Sequence, residues 1–357
     1  MSRKRKQSNL IFLLSIISLF LLGVVTGMIV IHLYDRSRLK EEEGSAFSTE
    51  NIAPKEEDPA EEIVRIYVPE RKRVFGKIPV NSYIPENFTL EEGFLAYYNE
   101  EGEKISHLGI DLSYHNTRID WELLSASPVE FIMLRCGYRG YSEGGLVEDE
   151  KFREYAQKCN EYGIPLGVYF FTQAITVEEA EKEADFVLNL IADYELSYPV
   201  AIDIEDVGEA TARTKVNELS KELRTEMALA FCERIKEAGY YPMIYASENY
   251  FRRAMNVSEF SDYDLWAPLY LETDDFLYDH TLWQYTDKGN VPGIDTKVDL
   301  NICMVDYASF VPALRKAALD QAIIETVPET AGMTEILETE GMTENLETEE
   351  SPDDEQD

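Results

Sequence analysis

The sequence predicts an α/β fold: an irregular (β/α)8-type barrel whose last strands are joined by loops, preceded by one N-terminal transmembrane helix. Three observations predict it. Eight short apolar runs, each of strand length, fall between Leu108 and Tyr307. Amphipathic helical stretches separate the first five of them, the pattern of a parallel sheet. Near the N-terminus, 25 consecutive residues, Leu10 to Tyr34, carry no charged side chain.

That uncharged run, "LIFLLSIISLFLLGVVTGMIVIHLY", exceeds the ~20 residues a spanning helix needs. It is longer than the core of a cleaved signal peptide, and no A-x-A site follows. It reads as an uncleaved signal anchor over 10–34. Arg3, Lys4, Arg5 and Lys6 precede it and Arg36, Arg38 and Lys40 follow, so charge bias alone is slight. A nine-residue basic N-terminus (1–9) retained in the cytoplasm is the simpler topology. The expected location is the cell membrane, single-pass, with the body outside.

Residues 35–62 are charged and poor in large apolar side chains, which predicts a disordered stalk. Residues 63–106 read as a short ordered lead-in. There "IVRIYV" alternates like a strand, and "GFLAYYNEEGEKI" suggests a hairpin turning near Asn99–Gly102.

The catalytic barrel is expected over 107–320. Its runs are "LGIDLS", "FIMLRCGY", "PLGVYFFT", "YPVAIDIE", "YPMIYAS", "DLWAPLY", "TLWQYTD" and "VDLNICM", all rich in β-branched or aromatic residues. Phe152, Tyr155, Ala156, Cys159 and Tyr162 share one helical face. Thr176 followed by Glu179 forms a capping box, and Ala180, Ala184, Val187, Leu188 and Ile191 line the stripe behind it. Leu219 to Ala238 is a further long amphipathic stretch. The gaps 271–280 and 288–297 are too short and too rich in Asp, Gly and Pro for a packing helix, so one late strand can run in reverse.

The segment 321–357 is expected to be a disordered acidic tail. Glu325 to Asp357 holds 13 acidic residues and no Lys or Arg, and "GMTEILETE" is followed at once by "GMTENLETE". The formal net charge of −36 argues against nucleic acid as a partner. The four cysteines form no C-x-x-C pair and only four His are present, which argues against a zinc or redox site. Buried free thiols are the expectation, with one or two disulfides as the alternative if this part of the chain lies outside the cell.

Acidic residues at strand ends are the functional signal. "VAIDIED" carries Asp203 and Glu205 at the end of an apolar run, and side-chain alternation points both the same way. Asp111 lies late in the first run and Asp299 in the eighth. Those strands are neighbours once the barrel closes, so four carboxylates converge. Crowded carboxylates raise at least one pKa, and a protonated carboxyl beside ionised ones is what glycosidic cleavage requires. Aromatic residues at the same strand ends can stack on sugar rings. Tyr138, Tyr169, Phe171, Tyr245, Trp266 and Tyr270 are the candidates, with Gln284 as a polar contact.

The motifs "HLGIDLSYHNTRIDW", "YPVAIDIED", "DLWAPLY" and "LWQYTDKGNVPGIDTKVDLN" resemble those of glycoside hydrolase family 25, the lysozymes (N-acetylmuramidases) of bacteria and phages. The resemblance spans His107 to Tyr307. It implies hydrolysis of the β-1,4 bond between N-acetylmuramic acid and N-acetylglucosamine in peptidoglycan strands, with no metal and no cofactor. It also implies Glu205 as general acid and Asp203 as the group that orients the N-acetyl substituent or stabilises the cation. Asp111 and Asp299 complete the acidic pocket. Two departures fall on the sugar groove: His115-Asn116-Thr117 stands where the family reads His-Gln-Gly, and Pro268 interrupts the sixth run. A wall-binding protein that lost turnover is the rival reading, and the intact acids argue against it. A chitinase-like barrel is disfavoured because "PVAIDIED" lacks the first two acids of the D-x-x-D-x-D-x-E run.

Overall fold

The computed structural model describes residues 73–326, apart from 76, 77 and 272. The expected anchor, stalk and "IVRIYV" strand lie outside the described residues, as does the tail beyond Thr326. No helix among the described residues is long and apolar enough to cross a membrane.

The chain enters through two small antiparallel pairs. The first joins β1 (Arg73–Phe75) to β2 (Ile78–Pro79). The second joins β3 (Phe88–Glu91) to β4 (Phe94–Tyr97). The latter hairpin turns at Glu92 and Gly93, whose φ values of 51° and 92° give the paired left-handed residues of a type I′ turn. The turn expected at Asn99–Gly102 is also present, with Tyr98 bridged to Lys104. The main hairpin therefore lies one turn earlier than the sequence suggested. Its Glu-Gly pair lacks the Asn or Asp that usually announces such a turn.

Eight strands then close a barrel. In chain order the elements are β5 (His107–Leu112), α1 (Trp121–Ser125), β6 (Phe131–Arg139), β7 (Leu146–Glu148), α2 (Phe152–Tyr162), β8 (Leu166–Phe171) and α3 (Val177–Ile191). They continue with β9 (Val200–Asp203), α4 (Arg213–Val216), α5 (Lys221–Glu237), β10 (Pro242–Tyr245) and α6 (Glu248–Ala254). The last are β11 (Asp264–Pro268), β12 (Leu282–Gly289), β13 (Val298–Cys303) and α7 (Val311–Thr326). The barrel runs β5-β6-β8-β9-β10-β11-β12-β13 and closes between β13 and β5, with β7 paired to the far end of β6. All eight apolar runs became its strands. Neighbours from β5 to β12 are parallel, and β13 is antiparallel to both β12 and β5. No helix separates β11, β12 and β13 among the described residues.

Local chemistry explains the helices. Thr176 accepts a hydrogen bond from the Glu179 N–H at 3.2 Å, and the Glu179 carboxylate reaches back to the Ile175 N–H at 2.9 Å. Ser220 caps α5 through the Leu223 N–H. The buried stripe of α3 is Ala180, Ala184, Val187 and Ile191 with Leu190, whereas Leu188 is only partly covered. Tyr162, expected on the buried face of α2, is 43 % exposed. α7 continues six residues past 320, where the barrel was expected to end and the tail to begin.

Alternation along the strands sorts the side chains. Ile110, Ile132, Leu134, Val168, Ile202, Ile244 and Leu265 pack in the outer cluster shared with the helices. Phe131, Met133, Ala201, Met243, Trp266, Leu282 and Cys303 fill the interior, with Tyr307 and Phe310 at its lower end. Glycines make room for the large interior residues. A Cβ on Gly109 would stand 2.1 Å from the Phe131 ring, and one on Gly167 2.4 Å from the Met133 sulfur. The four cysteines are buried and free.

Candidate active site

The interior alternation continues upward into polar chemistry. Two residues beyond Met133 comes Arg135, beyond Ala201 comes Asp203, beyond Met243 comes Tyr245, and beyond Leu282 comes Gln284. Gly109 is followed in the same way by Asp111. These residues line an open cavity of about 290 Å³, together with Asp299, Glu205, Tyr169, Phe171, Trp266 and Tyr270. The four carboxylates expected to meet do meet there.

They form two pairs. Asp111 and Asp299 are direct cross-strand partners on β5 and β13. Asp299 is the second residue of its strand, not one at its end, and it reaches the site because β13 is reversed. Asp203 ends β9, and Glu205 follows it at the mouth, the most exposed of the four.

Asp111 is held by a chain of hydrogen bonds. Its Oδ2 accepts from Gln284 Nε2 and from Asn301 Nδ2, both at 2.8 Å. The Gln284 Oε1 accepts from the hydroxyls of Tyr245 at 3.1 Å and Tyr270 at 2.7 Å. The Asn301 Oδ1 accepts from Trp266 Nε1 at 2.8 Å. Gln284, expected as a substrate contact, thus spends both ends of its amide on orienting Asp111.

Two aromatic expectations are corrected. Trp266 is 1 % exposed, sealed edge-on against Tyr169 and Tyr245, so no ring face is open to a sugar. Its place is beneath the cavity as a brace for Asn301. Tyr138 does not line the cavity, and its ring instead lies 5.5 Å from the Arg135 guanidinium. Tyr245 is also largely buried, and its hydroxyl is its contribution. The accessible rings are Tyr270, half exposed, with Tyr169 and Phe171 partly so.

Burial raises all four acids, and for Asp203, Glu205 and Asp299 neighbouring charges add to it. For Asp111 desolvation dominates, and the bonds from Asn301 and Gln284 pull part of it back. Asp203 is raised well above the usual carboxylate range by burial and by the charges of Glu205 and Asp111, with Arg135 opposing. Asp299 is pushed up to about 8 by burial and by Asp111 beside it. Glu205 is open to solvent on one side, yet protein atoms crowd its carboxyl closely enough that desolvation still raises it, with the Asp111 charge adding to this and the hydrogen bond with Asp203 opposing it. The Asp203 Oδ1 is buried without a hydrogen-bond partner among the described residues.

Ser113, His115 and Arg135 also line the cavity and were not among the expected site residues. Arg135 left a signal, being the one charge inside the apolar run "FIMLRCGY". Burial and the nearby Arg135 lower the His115 pKa, so its imidazole is neutral at pH 7. No group of His, Cys, Asp and Glu among the described residues is arranged to hold a metal ion.

A family model described as glycosyl hydrolases family 25 matches residues 110–294, more than half of the chain. The uncharacterized protein YegX of Escherichia coli K12 is 25 % identical over 234 residues, which are 64 % of this chain and 75 % of that protein. The modular autolysin LytC of Streptococcus pneumoniae superposes with a TM-score of 0.50 at 24 % identity, over 60 % of this chain and 52 % of that one. This chain thus matches about half the length of the autolysin, and at this identity the likeness is one of fold. The autolysin has also been solved in complex with a synthetic peptidoglycan ligand, with the same TM-score of 0.50.

Proposed function

Since the chain belongs to family 25 of the glycosyl hydrolases, we propose that it is a lysozyme, cleaving the β-1,4 bond between N-acetylmuramic acid and N-acetylglucosamine in peptidoglycan. The observation that carries this reading is the pair Asp203 and Glu205, one buried and one at the mouth, over a second, proton-sharing pair.

Glu205 and Asp203 hold a proton between them, since two adjacent carboxylates resist ionising together. Glu205 is the one that can reach a glycosidic oxygen. The charge and hydrogen bond of Glu205 raise Asp203, so the free protein holds the shared proton on Asp203. Its transfer to Glu205 lets Glu205 protonate the leaving oxygen while Asp203, then charged, faces the sugar as it gains positive charge. Asp111 and Asp299 set the negative potential beneath that sugar. Tyr270, Tyr169 and Phe171 offer apolar faces to the rings of the strand. The complex of the pneumococcal autolysin with a peptidoglycan ligand supports this substrate class.

We place the body outside the cell, held by the anchor at 10–34, where its reach is limited to nearby wall. Wall remodelling suits that tether. Removal of the body by protease added to intact cells checks the orientation, and full protection would reverse it.

The enzymatic reading is tested with purified full-length protein and isolated peptidoglycan. New reducing ends are identified by mass spectrometry after borohydride reduction. Muramic acid ends are expected, and Glu205→Gln should lower their rate of release by about 10²- to 10⁴-fold. Glucosamine ends would assign the cut to the other bond. Binding to the wall without new ends would make the protein a wall-binding module.

A further inference from the structure

Among the described residues, Arg135 is the only cation on a cavity lined by four carboxylates. The Nε of its guanidinium donates to Asp149 Oδ2 at 2.8 Å, and that carboxylate is fully buried. The same carboxylate accepts the Tyr114 N–H through Oδ2 and the Lys151 N–H through Oδ1. Asp149 is therefore a fixed point that sets the plane of the guanidinium. The guanidinium also lies within 4.9 Å of the Tyr114 ring centre and 5.5 Å of that of Tyr138. It is clamped at one edge and enclosed by rings.

The other edge is unused. Neither Nη1 nor Nη2 donates to any acceptor among the described residues, and Nη2 is buried in that condition. On the same cavity, Asp203 Oδ1 is buried without a hydrogen-bond partner among the described residues as well. A buried arginine donor left without an acceptor costs stability, and an oriented one with no acceptor is placed for a ligand. Sugar hydroxyls can satisfy carboxylates by donating to them. An arginine edge needs an acceptor, and a carbonyl or carboxylate oxygen is a stronger one than a hydroxyl. Four carboxylates line much of the rest of this cavity and repel such an oxygen.

We infer that Arg135 is a specificity-determining residue of this site, whose free Nη edge receives a carbonyl or carboxylate oxygen borne by a substituent of the sugar seated over the carboxylates. The inference rests on the lysozyme reading above. Peptidoglycan strands carry two such oxygens, that of the acetamido group and that of the lactyl arm on muramic acid. A glycan bearing only hydroxyls has neither.

The test compares wild type, Arg135→Met and Arg135→Lys on peptidoglycan strands, with kcat and KM measured separately. Arg135→Met should lose roughly 10- to 100-fold in kcat/KM, chiefly through KM, as expected for a charge-assisted bond. Arg135→Lys keeps the charge and can still pair with Asp149, so it folds, but it lacks the planar fork and should recover only part of the loss. Calorimetry in the Glu205→Gln background separates the two oxygens. Weaker binding of muramic-acid strands alone identifies the lactyl arm. Equal weakening with chitin oligosaccharides identifies the acetamido group. An unchanged KM in both Arg135 variants overturns the inference. So does an altered pH profile with KM unmoved, which would leave Arg135 as an electrostatic neighbour of Asp203. If wild type releases no reducing ends, the lysozyme reading fails instead, independently of Arg135.

Discussion

Asp111 and Asp299 stand directly opposite each other on an antiparallel strand pair, with Asp111 held from the other side by Gln284 and Asn301. Two amide donors on one oxygen favour the charged form of Asp111. Its neighbour Asp299, with no such donors, takes the proton. The asymmetry of the pair is built by residues that bear no charge.

Gln284 should therefore matter through Asp111 rather than through substrate. Gln284→Met removes the Nε2 bond and leaves the two tyrosine hydroxyls without their acceptor. We expect kcat to fall by about 10- to 100-fold with KM altered less, as for loss of a positioning bond. Steady-state kinetics on peptidoglycan check this. A rise in KM alone would return Gln284 to the role of a sugar contact.

The raised acids set a pH-dependent cost in stability. A carboxyl whose pKa is higher folded than unfolded binds more protons in the native state between its ordinary value and its folded one. Stability is then present at low pH and lost as pH rises; for Asp299 the window runs from about 4 to about 8. Asp299→Asn and Asp203→Asn should each raise the melting temperature at pH 8, by about 0.5–2 kcal/mol in stability, and have little effect near pH 4. Hydrolysis should fall in both. Thermal melts across that range decide the matter. Destabilisation at pH 8 would mean that these carboxylates support the fold.

The second pH-sensitive element lies away from the site. His280 Nε2 faces Asp274 Oδ2 at 3.3 Å, both side chains are fully buried, and Asn81 Nδ2 donates to the same carboxylate oxygen at 3.0 Å. Burial pushes the His280 pKa down, but Asp274, the Tyr278 carbonyl and Asp279 more than offset it, so the net shift is upward. This contribution is complete below about pH 6.5, the ordinary histidine value, and is lost as pH rises through the folded pKa. His280→Gln should cost about 3–5 kcal/mol at pH 6, the range for breaking a buried pair, and less at pH 9. Urea unfolding at the two pH values measures it. An equal cost at both would show that the imidazole packs as a neutral ring.

Much of this was legible in the sequence because strand interiors obey a two-residue alternation. Eight apolar runs became eight barrel strands, and short Asp- and Gly-rich gaps foretold a late reversal. Asp111, Asp203 and Glu205 followed from acids interrupting apolar runs. Asp299 was correctly grouped with them, although the rule that reactive groups sit at strand ends does not describe its position. Depth was not legible. Trp266 and Tyr270 both fall in the sixth run, yet one is sealed and the other half exposed. Nor can a sequence show whether an amide is already engaged, which is why Gln284 read as a sugar contact and Asn301 only as a residue of the last motif, with no role of its own. Arg135 obeyed the same logic as the acids and could have been found by it.

The reversal of β13 also changes what borders the cavity. In a barrel of uniformly parallel strands, the chain leaving each strand at the catalytic end must return through a helix. Here β12 and β13 are joined at that end by residues 290–297 alone, tied to the rim where Gly293 accepts the Asp120 N–H and Ile294 bridges to Ile119. Val291 and Ile294 of this bend are buried in the core, and a Cβ on Gly293 would stand 2.7 Å from the Leu124 backbone, so the bend packs against α1 and closes the barrel where a crossover helix would otherwise stand. An eight-residue bend thus seals what a whole helical crossover would otherwise cover, and it leaves the acids on β5 and β13 side by side on one ribbon.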